Sequence, residues 1–200
     1  MRDFILRARK GPSTPDFSLG ALPQTSHLEI VAHCIANAMF YSLRIRSSVR
    51  VHIVLDGPSV PPKIVRIESD LLGSLDGFDE QALTGVLREA LMVGQGLSLY
   101  QERESRPGVF VAKRSFESLI RQQVAVGPMF VLQKRAQDIR EIKLSSGSTF
   151  VFSDHLSMTK KTDKFLLRLG AEPISVGPKM LFASQCITLI HNELDRLYLP

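Results

Sequence analysis

The sequence predicts an α/β protein built on a largely parallel sheet. Two observations lead there. Apolar β-branched runs and helix-period stripes alternate through the second half of the chain, the order produced by parallel strands joined through crossover helices. The composition is that of a folded chain: 200 residues, 44% hydrophobic and 22% charged, sufficient to bury a core in one domain, 1–200, without disulfide or metal staples.

Residues 2–6 read as an opening strand, followed by a loop rich in Pro, Gly and Ser through Pro23. Ser26 and Glu29 have capping-box spacing. Leu28, Val31, Ile35, Ala38, Met39 and Leu43 continue at helical spacing, so a helix is expected from 26 to about 46. VRVHIVLDG (49–57) is a β-branched strand closing on an Asp-Gly turn, 58–62 a loop, and 63–67 a second strand. Asp79 is placed to cap a helix carrying Leu83, Val86, Leu87, Ala90 and Leu91, which Gly94 and Gly96 end. The polar stretch 97–107 is expected to be the most mobile segment. A helix over 115–124 is followed by a buried strand, GPMFVL (127–132), and another at 149–152 that ends in Ser153-Asp154-His155. A helix with Phe165, Leu166 and Leu169 stops at Gly170, and Pro173 blocks its continuation. A short strand, 174–176, leads to a last helix carrying Cys186, Leu189, Ile190, Leu194 and Leu197.

Several function classes are excluded or disfavoured. No apolar run approaches bilayer length, so no membrane span is expected. MRDFILRARKG lacks the pattern of a secretory signal. Cys34 and Cys186 stand alone, without a CxxC partner, which suits a reducing, cytoplasmic address. There is no GxGxxG, no GxxxxGK[ST] and no HExxH, and the five histidines lack metal-ligand spacing, so no metal is expected. Ser153, Asp154 and His155 are the residue types of a hydrolase triad. As direct neighbours leaving a strand they point in different directions and cannot form its relay.

Lys and Arg number 25 against 20 Asp and Glu, a net charge of +5. That excess favours an anionic partner, nucleic acid first. Arg2, Arg7, Arg9, Lys10, Arg44, Arg46 and Arg50 make either a phosphate-binding surface or a solvated charged face. Aromatic residues are sparse, with no Trp and three Tyr, which argues for a folded RNA read by shape over extended single-strand stacking.

Open α/β sheets bind ligands at the carboxyl ends of their strands. Three loops stand there: after Leu132, after Phe152, and after Val176, where VGPKMLFASQC runs into the final helix. Gly177-Pro178 is either a plain turn or the approach to a helix N-terminus that faces a ligand.

In these loops the chain resembles the tRNA pseudouridine-N1 methyltransferase family, part of the SPOUT superfamily. The resemblance covers MRDFIL, VHIVLDGPSVPPKIVRI, RPGVFVAKRSF, FVFSDH and ISVGPKMLFASQCITLIHNELD. It implies helices on both faces of the sheet and a C-terminal deep trefoil knot. It implies S-adenosylmethionine as cofactor, a homodimer, and tRNA or another structured RNA as partner. Carried over by motif, the cofactor-binding residues are Leu132, Ser153, Val176, Gly177, Leu181 and Cys186. Ser153 stands where archaeal relatives commonly have glycine, a side chain where backbone should approach.

Methyl transfer to N1 of pseudouridine releases a proton, so a base is useful. Asp56 and Asp154 are the catalytic candidates, with His155 beside them. Asp56 is more readily read as a turn-forming Asp-Gly, and Asp154 equally as a loop cap. Cys186 is a cofactor contact and not a nucleophile, because N-methylation needs no covalent adduct. Two other readings stay open: a different uridine target in rRNA or tRNA, and a knotted RNA-binding protein without catalysis.

Overall fold

The computed structural model describes residues 1–17, 27–42, 44–75 and 77–198. Its sheet is assembled from β1 (Arg2–Ala8), β4 (Val49–Leu55), β5 (Lys63–Glu68), β6 (Glu102–Arg106), β7 (Val109–Ala112), β8 (Met129–Asp138), β9 (Thr149–Ser153) and β10 (Glu172–Ser175). The order is β10-β8-β9-β1-β4-β5-β7-β6. From β10 to β4 every pairing is parallel, while β5, β7 and β6 add on antiparallel. The parallel strands read as continuous apolar runs because both faces are covered. A separate ribbon pairs β2 (Phe40–Tyr41) with β3 (Arg44–Ile45).

Side-chain alternation divides the core in two. Phe4, Leu6, Val51, Ile53, Phe150 and Phe152 face α1 (Leu28–Met39), α2 (Glu80–Val93) and α5 (Ala183–Tyr198). Ile5, Val54, Val151 and Val131 face α3 (Phe116–Val124) and α4 (Lys160–Arg168). Helices on both faces were expected, and both faces carry them.

Local signals explain most boundaries. Asp79 caps α2 by accepting the Ala82 N–H at 2.9 Å, Ser115 caps α3 through Ser118 N–H at 3.2 Å, and Thr159 caps α4 through Thr162 N–H at 3.2 Å. Gly170, at φ 92, ends the α4 turn in a conformation that favours glycine.

Two expectations need correcting. The first helix ends at Met39, not near 46. Ser42 turns the chain at φ 52, and the Arg46 N–H returns to Met39 O at 2.7 Å, so aromatic and β-branched residues build the ribbon instead. Its start is at Leu28, with His27 at the cap position making no side-chain cap bond; the Ser26 capping box lies outside the described residues, as does Leu43. The stretch 97–107, expected to be mobile, contains edge strand β6, paired to β7. Its charge hid it: the first three residues of ERESR are exposed, as an edge strand allows.

Candidate functional site at the carboxyl ends of the parallel strands

β1, β4, β8, β9 and β10 are mutually parallel, so the segments that leave them gather along one rim of the sheet. Every predicted site residue lies there. Asp56 and Gly57 follow β4, Ser153 and Asp154 close β9, and Val176 and Gly177 follow β10. Leu132 sits where β8 parts from β9, just past the Val131–Val151 pair.

The β8–β10 ladder makes the third loop possible. Pro173 pairs with Val131 but Ile174 pairs with Gln137, so residues 132–136 bulge out of the ladder. The Ser175 hydroxyl donates to Lys134 O at 3.4 Å and to Gly177 O at 3.0 Å, and accepts from Gly177 N–H at 3.2 Å. Gly177 has φ 136, and an added Cβ would meet nothing within 4 Å. Its constraint is backbone conformation, with open space beside it. Leu132, Val176 and Leu181 are partly buried against the α1/α2/α5 core, and Cys186 is 7% exposed.

Cys186, Cys34 and Asp154 lie close enough that the other two raise the pKa of the Cys34 thiol, after the larger effect of burial. Burial pushes the Cys186 thiol up to about 11, so at neutral pH it is a packed thiol and not a thiolate. The Asp154 carboxyl is also raised by burial, partly offset by the Leu156 N–H, which bonds Oδ1 at 2.9 Å, and by the charges of His155, Arg9 and His27. His155 Nδ1 is 3.6 Å from Asp154 Oδ2, and its ring lies tilted against that of His27 with centroids 4.0 Å apart.

Asp56 is placed differently. Arg7 Nε donates to Asp56 Oδ2 at 2.7 Å, while its guanidinium lies over Phe116 at 4.2 Å and reaches Thr162 Oγ1 at 3.3 Å. Phe116 belongs to the α3/α4 core, so this carboxylate is tied to the face opposite Cys34 and Cys186. Ser153 alternates with Phe152 and shares the side of Val151, away from Cys186.

The arginines first read as one surface separate. Arg2 and Arg46 both bind Asp195, at 2.6 and 2.9 Å, and Arg2 also donates to His191 Nδ1 at 2.9 Å. Arg50 lies 3.5 Å from Asp3 and 3.3 Å from Glu68. Arg9 and Lys10 remain exposed at the rim. Sequence reading missed His27, beside residues with no regular pattern, and Cys34, which a helical stripe hides as ordinary core.

Two cavities, about 400 Å³ beside Asp79 and Arg106 and about 250 Å³ beside Arg50, His52 and Gln123, are lined by none of the predicted cofactor-binding or catalytic residues. The rim offers something else: half-buried aliphatic walls at Leu132, Val176 and Leu181, with open space beside Gly177. That combination fits a flat, uncharged heterocycle such as adenine, held by apolar contact and main-chain hydrogen bonds. Among the described residues no group of three or more His, Cys, Asp or Glu could hold a metal ion, and no helix is long and apolar enough to cross a membrane.

A family model described as "Putative SAM-dependent RNA methyltransferase" matches residues 1–199. A protein of Photobacterium profundum named "Putative pseudouridine methyltransferase" is 41% identical over 195 residues, covering 98% of each chain. One of the same name from Vibrio cholerae is 39% identical, covering 98% of this chain and 97% of its own. Among solved structures, Archaeoglobus fulgidus Nep1 bound to S-adenosylhomocysteine shares the fold, with a TM-score of 0.63 over 98% of this chain and 97% of its own at 11% identity.

Proposed function

We propose, from the premise that this chain belongs to the family of S-adenosylmethionine-dependent RNA methyltransferases, that it methylates N1 of a pseudouridine in the T-loop of tRNA. The observation that carries this is the full-length relationship to proteins named pseudouridine methyltransferases at 39–41% identity. We read residues 1–200 as one catalytic domain, with the C-terminal segment threaded into a trefoil knot, working as a homodimer in the cytoplasm. Met180 and Phe182, 73% and 71% exposed beside the start of α5, supply apolar surface suited to a second copy.

When bound, the cofactor supplies a sulfonium-activated methyl group. The chain's own task is alignment, proton removal and exclusion of water. Leu132, Val176, Leu181 and Cys186 wall an apolar slot, and Gly177 lets the main chain approach the heterocycle. Ser153 turns its side chain to the far face, so it leaves that slot open. Asp154 accepts the N1 proton at its carboxylate. Its raised pKa brings it closer to working pH, where a base is most effective. Asp56 is the second candidate base, and its bond to Arg7 fixes its position.

The test is transfer of labelled methyl from S-adenosylmethionine to tRNA carrying or lacking pseudouridine in the T-loop. Label should appear only with pseudouridine. Equal incorporation in both would assign another uridine target, and failure to bind cofactor would assign an RNA-binding role without catalysis.

A further inference from the structure

We propose that a belt of unpaired cations along the carboxyl-end rim, Arg9, Lys10, Lys134, Arg135, Lys160 and Lys161, is the track that holds the RNA phosphate backbone. The assignment rests on the RNA methyltransferase reading above and locates the substrate on the molecule. All six are exposed, and none forms an ion pair among the described residues. Each belongs to a different part of the same rim. Arg9 and Lys10 leave β1, Lys134 and Arg135 ride the bulge between β8 and β10, and Lys160 and Lys161 open α4. Arg9 donates to Ser157 O at 3.3 Å, fastening the first pair to the loop that leads to the third. Arg9 also acts electrostatically on Asp154, which sets the belt beside the cleft.

The placement of Lys160 and Lys161 is the sharpest indication. A helix N-terminus carries partial positive charge and favours acidic residues, so two lysines in the first turn destabilise α4. Thr159 already supplies the cap, so these lysines add nothing the helix needs. Asp163 is the one acidic residue in that turn, so a net positive charge stands there against the local rule, and such a departure marks a functional surface. Bound phosphates would compensate both lysines, and they release counterions as they do so.

Lys160→Glu with Lys161→Glu therefore has opposed effects. Thermal denaturation should show Tm higher by about 2–4 °C. Binding to a fluorescent T-arm hairpin RNA containing pseudouridine should weaken about tenfold, and the slope of log K against log salt should shrink by about 2. Affinity for S-adenosylhomocysteine should not change. Lys134→Glu with Arg135→Glu should weaken RNA binding similarly without the gain in Tm. Arg88→Glu with Lys143→Glu, the same charge change among exposed residues elsewhere, should leave the slope intact.

An unchanged slope in both rim variants, with pseudouridine still methylated, would remove the belt and leave the proposed reaction standing. A normal belt effect with methylation of RNA lacking pseudouridine would do the reverse. Wild-type protein that ignored the hairpin at about 50 mM salt would sink both.

Discussion

The two ends of the parallel strands use charge in opposite ways. At the amino ends, Arg2, Arg46, Asp195 and His191 form one closed network, and Asp3, His52, Arg50 and Glu68 form another. At the carboxyl ends Arg7 is paired with Asp56, but Arg9, Lys10, Lys134, Arg135, Lys160 and Lys161 stand unpaired in solvent, while Asp154 is pulled into the protein. The same residue types lock the fold at one end and remain available to ligands at the other. A basic net charge therefore says little about binding until its pairing is known.

The largest expected effect separates the two carboxylates of the rim. Asp154→Asn should lower kcat by about 10²- to 10⁴-fold with little change in cofactor affinity. Asp56→Asn should cost less than about tenfold in kcat, because its carboxylate serves Arg7. If the two losses were reversed, the base would lie on the α3/α4 side.

The amino end should respond in stability and not in chemistry. Asp195→Ala strands Arg2 and Arg46 and should cost about 2 kcal/mol in urea unfolding. That is below the figure for a fully buried pair because the Arg2, Arg46 and Asp195 side chains keep 14%, 19% and 27% of their exposure. Turnover measured well below Tm should be unaffected.

Acid should reveal the same network. Burial first, then the charges of Arg46 and Arg2, moves His191 down to about 3, against about 6.5 in an unfolded chain. Between those values the unfolded chain holds the extra proton, so stability is complete above about pH 6.5 and is lost as pH falls toward 3. One such group contributes about 1.4 kcal/mol per pH unit. His52, lowered mainly by burial, acts in the same direction. Urea midpoints at pH 7 and 5 should differ accordingly, and His191→Asn should flatten the slope.

The smallest effect belongs to the third loop. Gly177→Ala forces a side chain onto φ 136 and should weaken S-adenosylhomocysteine binding about fivefold by calorimetry. No change would put the loop outside the slot.

Much of this was legible in the sequence where local and global signals agree. The apolar runs of β1, β4, β8 and β9, and the cap Asp79, needed no tertiary information. Strand β6 was not legible, because an exposed edge strand loses the alternation that would mark it. The end of α1 was hidden too, since Phe40 and Ile45 fit a helix stripe as well as a ribbon. The site loops were placed by the rule that open sheets bind ligands at the carboxyl ends of their strands, and motif resemblance gave their residues roles. What motif could not supply was direction: that Ser153 turns from the slot, that Asp56 is tied to Arg7, and that Asp154 joins Cys34 and Cys186. Those depend on which face each strand residue takes and on partners far away in the chain.

The most direct test is a crystal structure of the protein with S-adenosylhomocysteine. The adenine should lie between Leu132, Val176, Leu181 and Cys186, with main-chain hydrogen bonds near Gly177 and the sulfur turned toward Asp154. Ligand seated in either cavity away from this rim, or a third loop closed over an empty slot at saturating ligand, would contradict it.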